Sequence, residues 1–440
     1  MSTTPSPVPS TREAVIIGGN RIPFSRAGKK YVRTSNQDMF TAALEGLVAR
    51  FGLQGERLGE VAGGAVLKHS KNFNLVRESV LGSSLAPTTP AYDVQQACAT
   101  GLEAAIAVTN KIKLGQIESA IAGGTDTVSD APIVVSDRLR AALLDANHAK
   151  TTGAKLKALA AIRPKDLAPV SPSTGEPRTH LSMGEHQAIT TAKWGITRED
   201  QDEVAYNSHQ NLARAWESGF FDDLVTPYKG LTRDDNMRPD TSPDKLAKLK
   251  PVFGAKLGEQ ATMTAGNSTP LTDGASAVLF SSRAWAEERD LPILAKFVDA
   301  ETAAVDFVHG HEGLLMAPAA AVPRLLARND LRLEDIDFFE IHEAFASTVL
   351  TTLAAWEDEE YCRTELGLDG AFGKIDRSKL NVNGSSLAAG HPFAATGGRI
   401  IATAAKLVAA KAAETGQPAR ALISVCAAGG LGAVAIVESV

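Results

Sequence analysis

The chain is organised around the stretch Val94-Gln95-Gln96-Ala97-Cys98-Ala99-Thr100-Gly101, in which a cysteine stands where an extended segment passes into a helix. The residues before it, Ala91 to Val94, have extended character, and the residues after it are rich in Ala and apolar on nearly every side. Such a sequence is typical of a helix buried all round. The unpaired N–H groups and the dipole of its first turn are expected to stabilise a thiolate at Cys98. The alternative is a cysteine that serves as a small buried hydrophobe.

The same pattern recurs near the end of the chain. His391, within Gly390-His391-Pro392, precedes a buried helix predicted over 396–410, as Cys98 precedes its own helix. In both places a Gly-Gln pair, an apolar strand and a Gly-Gly pair follow. We interpret this pattern as an internal duplication. A duplicated fold would bring the starts of the two helices together, and with them Cys98 and His391.

Composition limits the classes of function. The chain has 440 residues, of which 44% are hydrophobic and 22% charged, as in an ordinary globular protein with room for two or three domains. Its net charge of -6 argues against a general nucleic-acid binder. The three cysteines fit neither a disulfide framework nor a zinc pattern, so a reducing compartment is expected. No targeting peptide and no membrane-spanning run is recognised, which predicts a cytoplasmic protein.

Alternating strands and helices predict an α/β fold with two similar halves. Residues 1–13 are predicted to form a disordered arm. Residues 133–182 hold many bases and then a Pro/Ser/Thr stretch, which indicates an excursion from the core. Among the other predicted elements are helices over 37–51 and 318–329, a helix start at Ile196-Thr197-Arg198-Glu199, and strands at Thr262–Asn267 and near Asn381.

Four residues that follow glycine or lie at strand-to-helix turns could carry chemistry: Cys98, His342, His391 and Cys426. A thiol needs a base to become a nucleophile, and imidazole is the usual one, so the duplication pairs Cys98 with His391. Cys426 precedes a loop of small residues whose N–H groups can approach a substrate oxygen closely. Cys362 has no such surroundings and is taken as structural. The histidines show no metal spacing, and the glycines follow neither the P-loop nor the dinucleotide pattern.

Motifs along nearly the whole chain, from about Arg12 to Val440, resemble those of the thiolase family. They are Gln96-Ala97-Cys98, Ala122-Gly123-Gly124, Gln201-Asp202 with Ser208-His209, Thr264-Ala265-Gly266-Asn267-Ser268, Asp273-Gly274-Ala275, His342-Glu343-Ala344-Phe345, Gly390-His391-Pro392 and Cys426-Ala427-Ala428-Gly429-Gly430. Many members have Asn where this chain has His342, and Gly where it has Ala428. The versions found here are similar to the β subunit of the trifunctional enzyme of fatty-acid oxidation and its bacterial relatives.

The resemblance implies an α/β thiolase fold, in which two similar halves form a layered α-β-α-β-α core with a loop domain over the active site. The N-terminal half would comprise 14–132 plus 262–290, the loop domain 133–261 and the C-terminal half 291–440. The implied activity is that of an acyltransferase of fatty-acid β-oxidation. It is thiolytic cleavage of 3-ketoacyl-CoA by CoA, which is reversible as a Claisen condensation.

The resemblance also implies a role for each catalytic residue. Cys98 would take the acyl group after His391 has deprotonated it, and Cys426 would move the α-proton of the acetyl unit. His342 and His391 would stabilise the enolate oxygen. Backbone N–H groups of Cys98 and Ala428 would hold the oxyanion of the acyl-enzyme. A backbone donor is kept when Gly is replaced by Ala, so Ala428 is compatible with this role.

The family pattern points to CoA contacts as well: Arg238 near the adenine, and Met183, Ala265, Thr269, Ala344 and Phe345 along the pantetheine. Thr269 stands where Ser is usual and keeps the hydroxyl. CoA is a substrate, and neither a cofactor nor a metal is implied. The expected partners are acyl-CoA, a second copy in a homodimer or a dimer of dimers, and a hydratase/dehydrogenase α subunit.

Other interpretations stay open at this point. A biosynthetic acetyl-CoA C-acetyltransferase, which makes acetoacetyl-CoA, shares all four catalytic residues, so only chain-length kinetics separates the two. A decarboxylating condensing enzyme is disfavoured, because Cys426 is needed when the donor keeps its α-proton. A non-catalytic acyl-CoA-binding relative could have lost Cys98 or Cys426, yet both are present. The basic stretch 133–165 could contact an anionic membrane, bind the CoA phosphates or be a solvated face.

Overall fold

The computed structural model describes residues 12–440, and its strands form one sheet of ten strands within that range. The strands are β1 (Ala14–Arg21), β2 (Ser25–Arg26), β3 (Glu60–Gly63), β4 (Ala91–Asp93), β5 (Ser119–Asp126), β6 (Thr272–Ser282), β7 (Ala295–Ala304), β8 (Phe338–Ile341), β9 (Arg420–Ala427) and β10 (Leu431–Ser439). Their order in the sheet is β4-β3-β5-β6-β1-β7-β10-β9-β8, and β2 pairs with β6 at one side.

The helices alternate with these strands. They are α1 (Asn36–Phe51), α2 (Leu75–Leu81), α3 (Thr100–Lys113), α4 (Asp137–His148), α5 (Thr152–Ala160), α6 (Met183–Lys193), α7 (Arg198–Glu217), α8 (Pro243–Ala247), α9 (Arg283–Glu287), α10 (Ala317–Arg328), α11 (Ala346–Glu357), α12 (Glu359–Thr364), α13 (Ser386–Ala389) and α14 (Ala395–Thr415). Short 3-10 turns cover Ser70–Asn72, Pro164–Leu167, Ala255–Gln260, Leu333–Asp335 and Arg377–Lys379.

The strand pairing is the same in the two halves of the sheet. In the first half β1 is antiparallel to β6, β6 is antiparallel to β5, and β5 is parallel to β3. In the second half β7 is antiparallel to β10, β10 is antiparallel to β9, and β9 is parallel to β8. The halves meet where β1 pairs with β7 through Val15–Lys296 and Ile16–Ala295. The topology therefore repeats in the way expected of a duplicated chain.

The alternation of side chains along the strands creates the layers. Ile16 of β1 and Ala435 of β10 point into one shared core, which also holds the buried faces of α3 and α14. Their neighbours point the other way: Val15 packs with α1 and α2, and Ile436 packs with α10 and α11. Helices α3 and α14 therefore lie between the two halves of the sheet. The α-β-α-β-α layering expected of a thiolase fold is confirmed.

The two central helices touch through backbone. A side chain added at Gly397 of α14 would place its Cβ 2.3 Å from the amide nitrogen of Leu102 in α3. A Cβ at Gly101 of α3 would lie 2.5 Å from the carbonyl oxygen of Ala394. Both contacts fall in the first turns of the helices, beside the segments that carry Cys98 and His391. The absence of side chains here lets the two helix starts approach each other.

Most of the predicted elements are confirmed, and two are wrong. The helices predicted at 37–51 and 318–329 are α1 and α10, and the start at Thr197 caps α7 by accepting from the Asp200 N–H. No strand forms at 262–267, since the Asn267 side chain accepts from the Thr264 N–H in place of a strand partner. None forms at Asn381 either, where the backbone has a φ of 45°.

The predicted arm lies outside the described residues except for its last two. Arg12 pairs with Glu118, and Arg283 Nε lies 2.8 Å from a carboxylate oxygen of Glu13. The division into a loop domain over 133–261 and two flanking halves stays a prediction.

The excursion carries an exposed helical hairpin of α4 and α5. At its base Val134 and Val170 exchange backbone hydrogen bonds of 2.9 and 2.8 Å, and the Ser136 hydroxyl donates to the Asp166 carbonyl. Apolar side chains such as Leu156, which is 63% exposed, stand on this hairpin beside Lys155 and Lys157. Within residues 12–440, no helix has both the length and the apolar character needed to cross a membrane.

The backbone contact of α3 and α14 predicts a specific sensitivity. Gly397→Ala forces a Cβ into the backbone of α3, and we expect a loss of roughly 1–3 kcal/mol or more in the free energy of unfolding. The matched control is Gly153→Ala in α5, where a Cβ meets nothing within 4 Å. That variant should be neutral or gain up to about 1 kcal/mol. Denaturant unfolding of both variants measures the difference, and equal stabilities would contradict the prediction.

Candidate active site

Cys98 is presented by a strained turn two residues before α3. Ala97 has a φ of 44°, a left-handed conformation that is unusual for a residue with a side chain. The Thr100 hydroxyl holds the turn, because it accepts from the Gln96 N–H at 2.9 Å and donates to the Ala97 carbonyl at 2.7 Å. The turn leaves Cys98 half-buried at the edge of the shared core. The backbone of this turn therefore fixes the position of Cys98.

His391 is fixed at the corresponding place before α14. Gly390 has a φ of 102°, and a Cβ there would lie 2.6 Å from Thr272 Cγ2, so the position needs glycine. The His391 N–H donates to Thr272 Oγ1 at 2.8 Å. Its ring nitrogen Nδ1 lies 2.6 Å from Thr396 Oγ1. Backbone and ring are both anchored, which leaves Nε2 free for chemistry.

His342 follows β8 and lies beside His391. Its backbone N–H continues the pairing with β9 by donating to the Ser424 carbonyl, and its Nδ1 lies 2.7 Å from Ser386 Oγ. The rings of His342 and His391 have centroids 4.1 Å apart and are inclined by 40°. The structure thus brings together two buried imidazoles that come from different strand ends.

The sulfur of Cys98 completes this cluster. One atom each from Cys98, His342 and His391, the sulfur and two ring nitrogens, lie within 4.8 Å of one another. The Nε2 atoms of both histidines are buried and have no hydrogen-bond partner among residues 12–440. Thiol and imidazole are also zinc ligands, and this is the one metal-capable group of such side chains in the described part of the chain. The same arrangement suits proton transfer from thiol to imidazole.

Burial keeps these groups neutral at rest. It raises the pKa of the Cys98 thiol to about 12, although the Ala428 N–H, which points at the sulfur, acts in the opposite direction. The expectation of a stabilised thiolate is therefore wrong for the resting site, because loss of water outweighs the helix start. Burial and the positive charge of Arg399 lower the pKa of His391 to about 3, and burial also lowers that of His342. Cys98 must therefore lose its proton as it reacts, and a neutral imidazole stands ready to accept it.

Cys426 is a second thiol that lies close enough to Cys98 for its own pKa to be affected. It lies in β9 opposite Gly432 of β10, and its pKa is raised by burial and by the nearby Cys98. It belongs to an apolar cluster whose other buried members are Ala188, Met263, Leu314, Leu315 and Phe345. The site therefore has two thiols in different surroundings, one beside the imidazoles and one against an apolar wall.

Comparison with known proteins identifies the family. The family model for the thiolase N-terminal domain matches residues 14–284, and that for the thiolase C-terminal domain matches residues 291–439.

The chain belongs to the thiolase family.

Relatives and solved structures agree with this assignment. The chain is 39% identical over 428 residues to the 3-ketoacyl-CoA thiolases of Pectobacterium carotovorum and Pectobacterium atrosepticum, with 96% of this chain and 95% of each relative covered. Among solved structures, a Bacillus anthracis acetyl-CoA acetyltransferase is 28% identical with a TM-score of 0.79, covering 98% of this chain and 100% of that one. Human mitochondrial 3-ketoacyl-CoA thiolase is 26% identical with a TM-score of 0.78, covering 98% and 99%.

The residues predicted to line the CoA path in this thiolase fall into two groups. Met183, Ala344 and Phe345 all belong to the apolar cluster around Cys426. Thr269 lies next to them, because its N–H and its hydroxyl both donate to the Ala344 carbonyl, at 3.2 and 3.1 Å. The remaining two, Ala265 and Arg238, are exposed. All six contacts with CoA stay predictions.

Four polar residues of this site were missed by the sequence analysis: Glu176, Glu340, Ser386 and Arg399. Two of them could have been recognised in the sequence, since Glu340 interrupts an apolar strand and Arg399 lies in the predicted buried helix after His391. Charged residues at such positions are almost never buried unless they are paired. Ser386 and Glu176 could not have been recognised in this way, because their hydrogen-bond partners are far away in the sequence.

Glu176 supports the loop that follows Cys426. It comes from the excursion, is buried, and accepts from the Gly429 N–H at 2.8 Å. Gly429 is the next residue after Ala428, whose own N–H points at the Cys98 sulfur. Glu176 therefore holds the peptide segment that aims a backbone donor at the nucleophile, and it is a positioning residue of the site.

This contact predicts a change in backbone protection. Glu176→Ala removes a hydrogen bond to a charged group, typically worth about 1.5–3 kcal/mol, so we expect hydrogen exchange of the Gly429 amide to speed up by roughly ten- to a hundredfold. Glu176→Gln keeps an acceptor oxygen and is the matched control, with exchange close to that of the native chain. Exchange mass spectrometry on peptides spanning 426–432 measures both variants, and unchanged protection in the alanine variant would remove this role.

Proposed function

We propose that this thiolase cleaves 3-ketoacyl-CoA with CoA, giving acetyl-CoA and a shortened acyl-CoA, through an acyl-enzyme on Cys98. The observation that carries the proposal is the juxtaposition of one thiol with two neutral imidazoles, whose Nε2 atoms have no partner among residues 12–440, next to a second thiol. The names of the two Pectobacterium relatives, 3-ketoacyl-CoA thiolases, support the same substrate class.

The first half-reaction forms the acyl-enzyme. His391 Nε2 takes the proton of Cys98, and the thiolate attacks the 3-keto carbon of the substrate. The bond between that carbon and the α-carbon breaks, and the acetyl-CoA unit leaves as an enolate. Hydrogen bonds from His342 and the newly protonated His391 stabilise its oxygen. Cys426 then donates its proton to the α-carbon, which releases acetyl-CoA and leaves Cys426 as a thiolate.

The second half-reaction transfers the acyl group to CoA. The Cys426 thiolate takes the proton of the CoA thiol, and the sulfur of CoA attacks the acyl carbon. The Cys98 thiolate leaves and recovers its proton from His391, so every group returns to its resting state. The N–H of Ala428, which points at the Cys98 sulfur, and the N–H of Cys98 supply the oxyanion donors. CoA is a substrate, and no step needs a cofactor or a metal.

A biosynthetic acetyl-CoA C-acetyltransferase is the second candidate. The solved Bacillus anthracis structure of that name has a similar fold, and the same four side chains could run the reaction in reverse. A non-catalytic acyl-CoA-binding role is disfavoured, since the Cys98 thiol lies beside two imidazoles whose Nε2 atoms have no partner within residues 12–440. The measurement that separates the two enzymes is the rate of thiolysis against chain length.

We further propose a cytoplasmic enzyme that assembles as a homodimer or a dimer of dimers and works with a hydratase/dehydrogenase α subunit. The support is the resemblance of the His342-Glu343-Ala344-Phe345 motif and the excursion to that branch of the family. The exposed apolar side chains beside the lysines of α5 favour a docking or substrate-contacting role for the hairpin over a solvated face.

The proposed function predicts activity over a range of chain lengths. We expect thiolysis of ketoacyl-CoA substrates from four carbons upward, with higher kcat/KM for the longer chains. After incubation with labelled acyl-CoA, peptide mass spectrometry should find the label on Cys98. Activity with acetoacetyl-CoA alone would favour the biosynthetic enzyme, and label on Cys426 or Cys362 in the native protein would contradict the assignment of the nucleophile.

The two thiols are predicted to do separate proton chemistry. Cys426→Ala should still accept an acyl group on Cys98 but lose exchange of the acetyl-CoA α-protons with deuterium oxide by at least about a hundredfold, the usual range for a positioned acid–base group. Cys362→Ala is the matched control, because Cys362 is also buried but lies against Ala355 and Trp356. If deuterium enters acetyl-CoA at the native rate in Cys426→Ala, the assignment of Cys426 as the group that moves the α-proton is wrong.

The hairpin of α4 and α5 is predicted to govern chain length or docking and not the chemical step. Residues 137–165 can be replaced by two glycines, because the Ser136 hydroxyl and the Asp166 carbonyl are only 2.7 Å apart. This deletion keeps Glu176. We expect acetoacetyl-CoA thiolysis within about threefold of native, and a loss of tenfold or more on long chains or on α-subunit binding. An equal loss on all lengths in a folded protein would argue against this division.

A further inference from the structure

His342 belongs to a row of buried polar groups that extends away from the site. Ser386 Oγ lies 2.7 Å from His342 Nδ1 and also accepts from Arg399 Nη2 at 3.1 Å. All three side chains are buried. The other ring nitrogen, Nε2, is buried and has no partner in the described part of the chain, and His342 belongs to the cluster with Cys98 and His391. The row therefore connects the guanidinium of Arg399, in α14, to the imidazole of His342, whose Nε2 is the atom proposed to act on substrate.

Counting protons along this row selects one tautomer of His342. Arginine has only donors, so the contact with Arg399 makes Ser386 Oγ an acceptor. The single proton of the Ser386 hydroxyl then has one partner within residues 12–440, His342 Nδ1. If Nδ1 carried the proton, Ser386 would receive two donors and its own buried proton would have no acceptor, at a cost of about 1–3 kcal/mol. Nδ1 must therefore be the acceptor, and Nε2 carries the proton of the neutral ring.

His391 differs from His342 because no guanidinium contacts its hydroxyl partner within residues 12–440. Its Nδ1 lies 2.6 Å from Thr396 Oγ1, and that hydroxyl has no other hydrogen bond among the described residues. The proton of that hydroxyl has His391 Nδ1 as its one partner, so the same count puts the resting proton of His391 on Nε2 as well. The Nε2 atom becomes bare when the Thr396 hydroxyl turns to accept from Nδ1–H, and no guanidinium already occupies that oxygen in the described part of the chain. The ring that must accept a proton from Cys98 is thus the one whose Nε2 can be bare. His342, whose Nε2 is held as an N–H, serves only as a hydrogen-bond donor.

The charge of Arg399 is poorly compensated. Glu340 of β8 is the largest acidic influence on it, ahead of Glu343 and Asp234, but both carboxylate oxygens of Glu340 lack hydrogen-bond partners in the described structure. Burial raises the pKa of Glu340 to about 8 against the opposing effect of Arg399, and this weakens the negative charge of Glu340 near neutral pH. The guanidinium charge therefore acts on the imidazoles, and it lowers the pKa of both His342 and His391. His342 is kept neutral while the row still polarises its N–H toward the substrate.

We propose that Arg399, acting through Ser386, is a positioning residue that fixes His342 in its Nε2–H tautomer and thereby makes it a dedicated hydrogen-bond donor, leaving the base role to His391. The tautomer follows from the hydrogen-bond geometry alone. Its use, donation to the enolate oxygen, rests on the proposed function. The two parts of the inference can therefore be tested separately.

The first test reads the tautomer in the whole native protein. Protein labelled with nitrogen-15 in histidine gives ring signals that distinguish a protonated nitrogen from a bare one, and His342→Asn identifies the signals that belong to His342. We expect a single neutral form with the proton on Nε2. Ser386→Ala should give a mixture of tautomers. Ser385→Ala is the matched control, because Ser385 also accepts from Arg399 Nη2 at 3.1 Å and its hydrogen bonds do not include His342. A native His342 protonated on Nδ1 would overturn the proposal without any variant.

The second test reads the consequence for the reaction. Ser386→Ala should lower kcat for exchange of acetyl-CoA α-protons by about tenfold, less than the roughly hundred- to thousandfold typical for deleting an oxyanion donor, as in His342→Ala. KM and acylation of Cys98 should stay near native, since the donor acts mainly in the transition state. A native tautomer with an unchanged exchange rate in Ser386→Ala would overturn the positioning role. A native protein that shows the Nε2–H tautomer but catalyses no exchange would support the assignment of the proton and contradict the proposed function.

Discussion

The site depends on the backbone contact between α3 and α14. Gly397 and Gly101 carry no side chains where the first turns of these helices meet, so the segments that bear Cys98 and His391 come together from the two halves of the chain. Asp126, at the end of β5, reinforces the contact from the sheet by accepting from the N–H groups of Leu67 and Ala394 at 2.8 and 3.0 Å. A reaction centre shared by two similar halves is possible only because the helix layer between the two halves of the sheet is this thin.

Close packing also determines the electrostatics. A dry site keeps the thiols protonated and the imidazoles neutral, so charge is created only when a proton moves within the cluster. Developing negative charge then meets oriented donors instead of water, and these are worth more in such surroundings. The Ala428 N–H points at the nucleophile, and the row from Arg399 to His342 polarises a second donor. Preorganisation of this kind requires supports that do not themselves touch substrate.

The sequence predicted the parts of this arrangement that depend on local pattern. The repeated succession of reactive residue, buried helix, Gly-Gln pair and strand was enough to place Cys98 beside His391. The strand predicted near Asn381 was wrong, because the backbone there is left-handed and ends the apolar run. The Asn381 side-chain amide takes the place of a strand: it accepts from the Ile341 N–H and donates to the Ile341 carbonyl, both at 2.9 Å. Ser386 and Glu176 were not predictable, because their roles exist only through tertiary contacts with His342 and Gly429.

Those tertiary contacts give the excursion and the helices after it a part in the chemistry. Glu176 holds the Gly429 N–H beside the donor of Ala428. The hydroxyl of Ser208 in α7 donates to Glu343, next to His342, and accepts from the Ser385 N–H. Residues from 133–261 therefore anchor the loop after Cys426, the loop after β8 and the start of α13. A segment that served only as a cover could move without disturbing these loops, whereas this one shares hydrogen bonds with each of them.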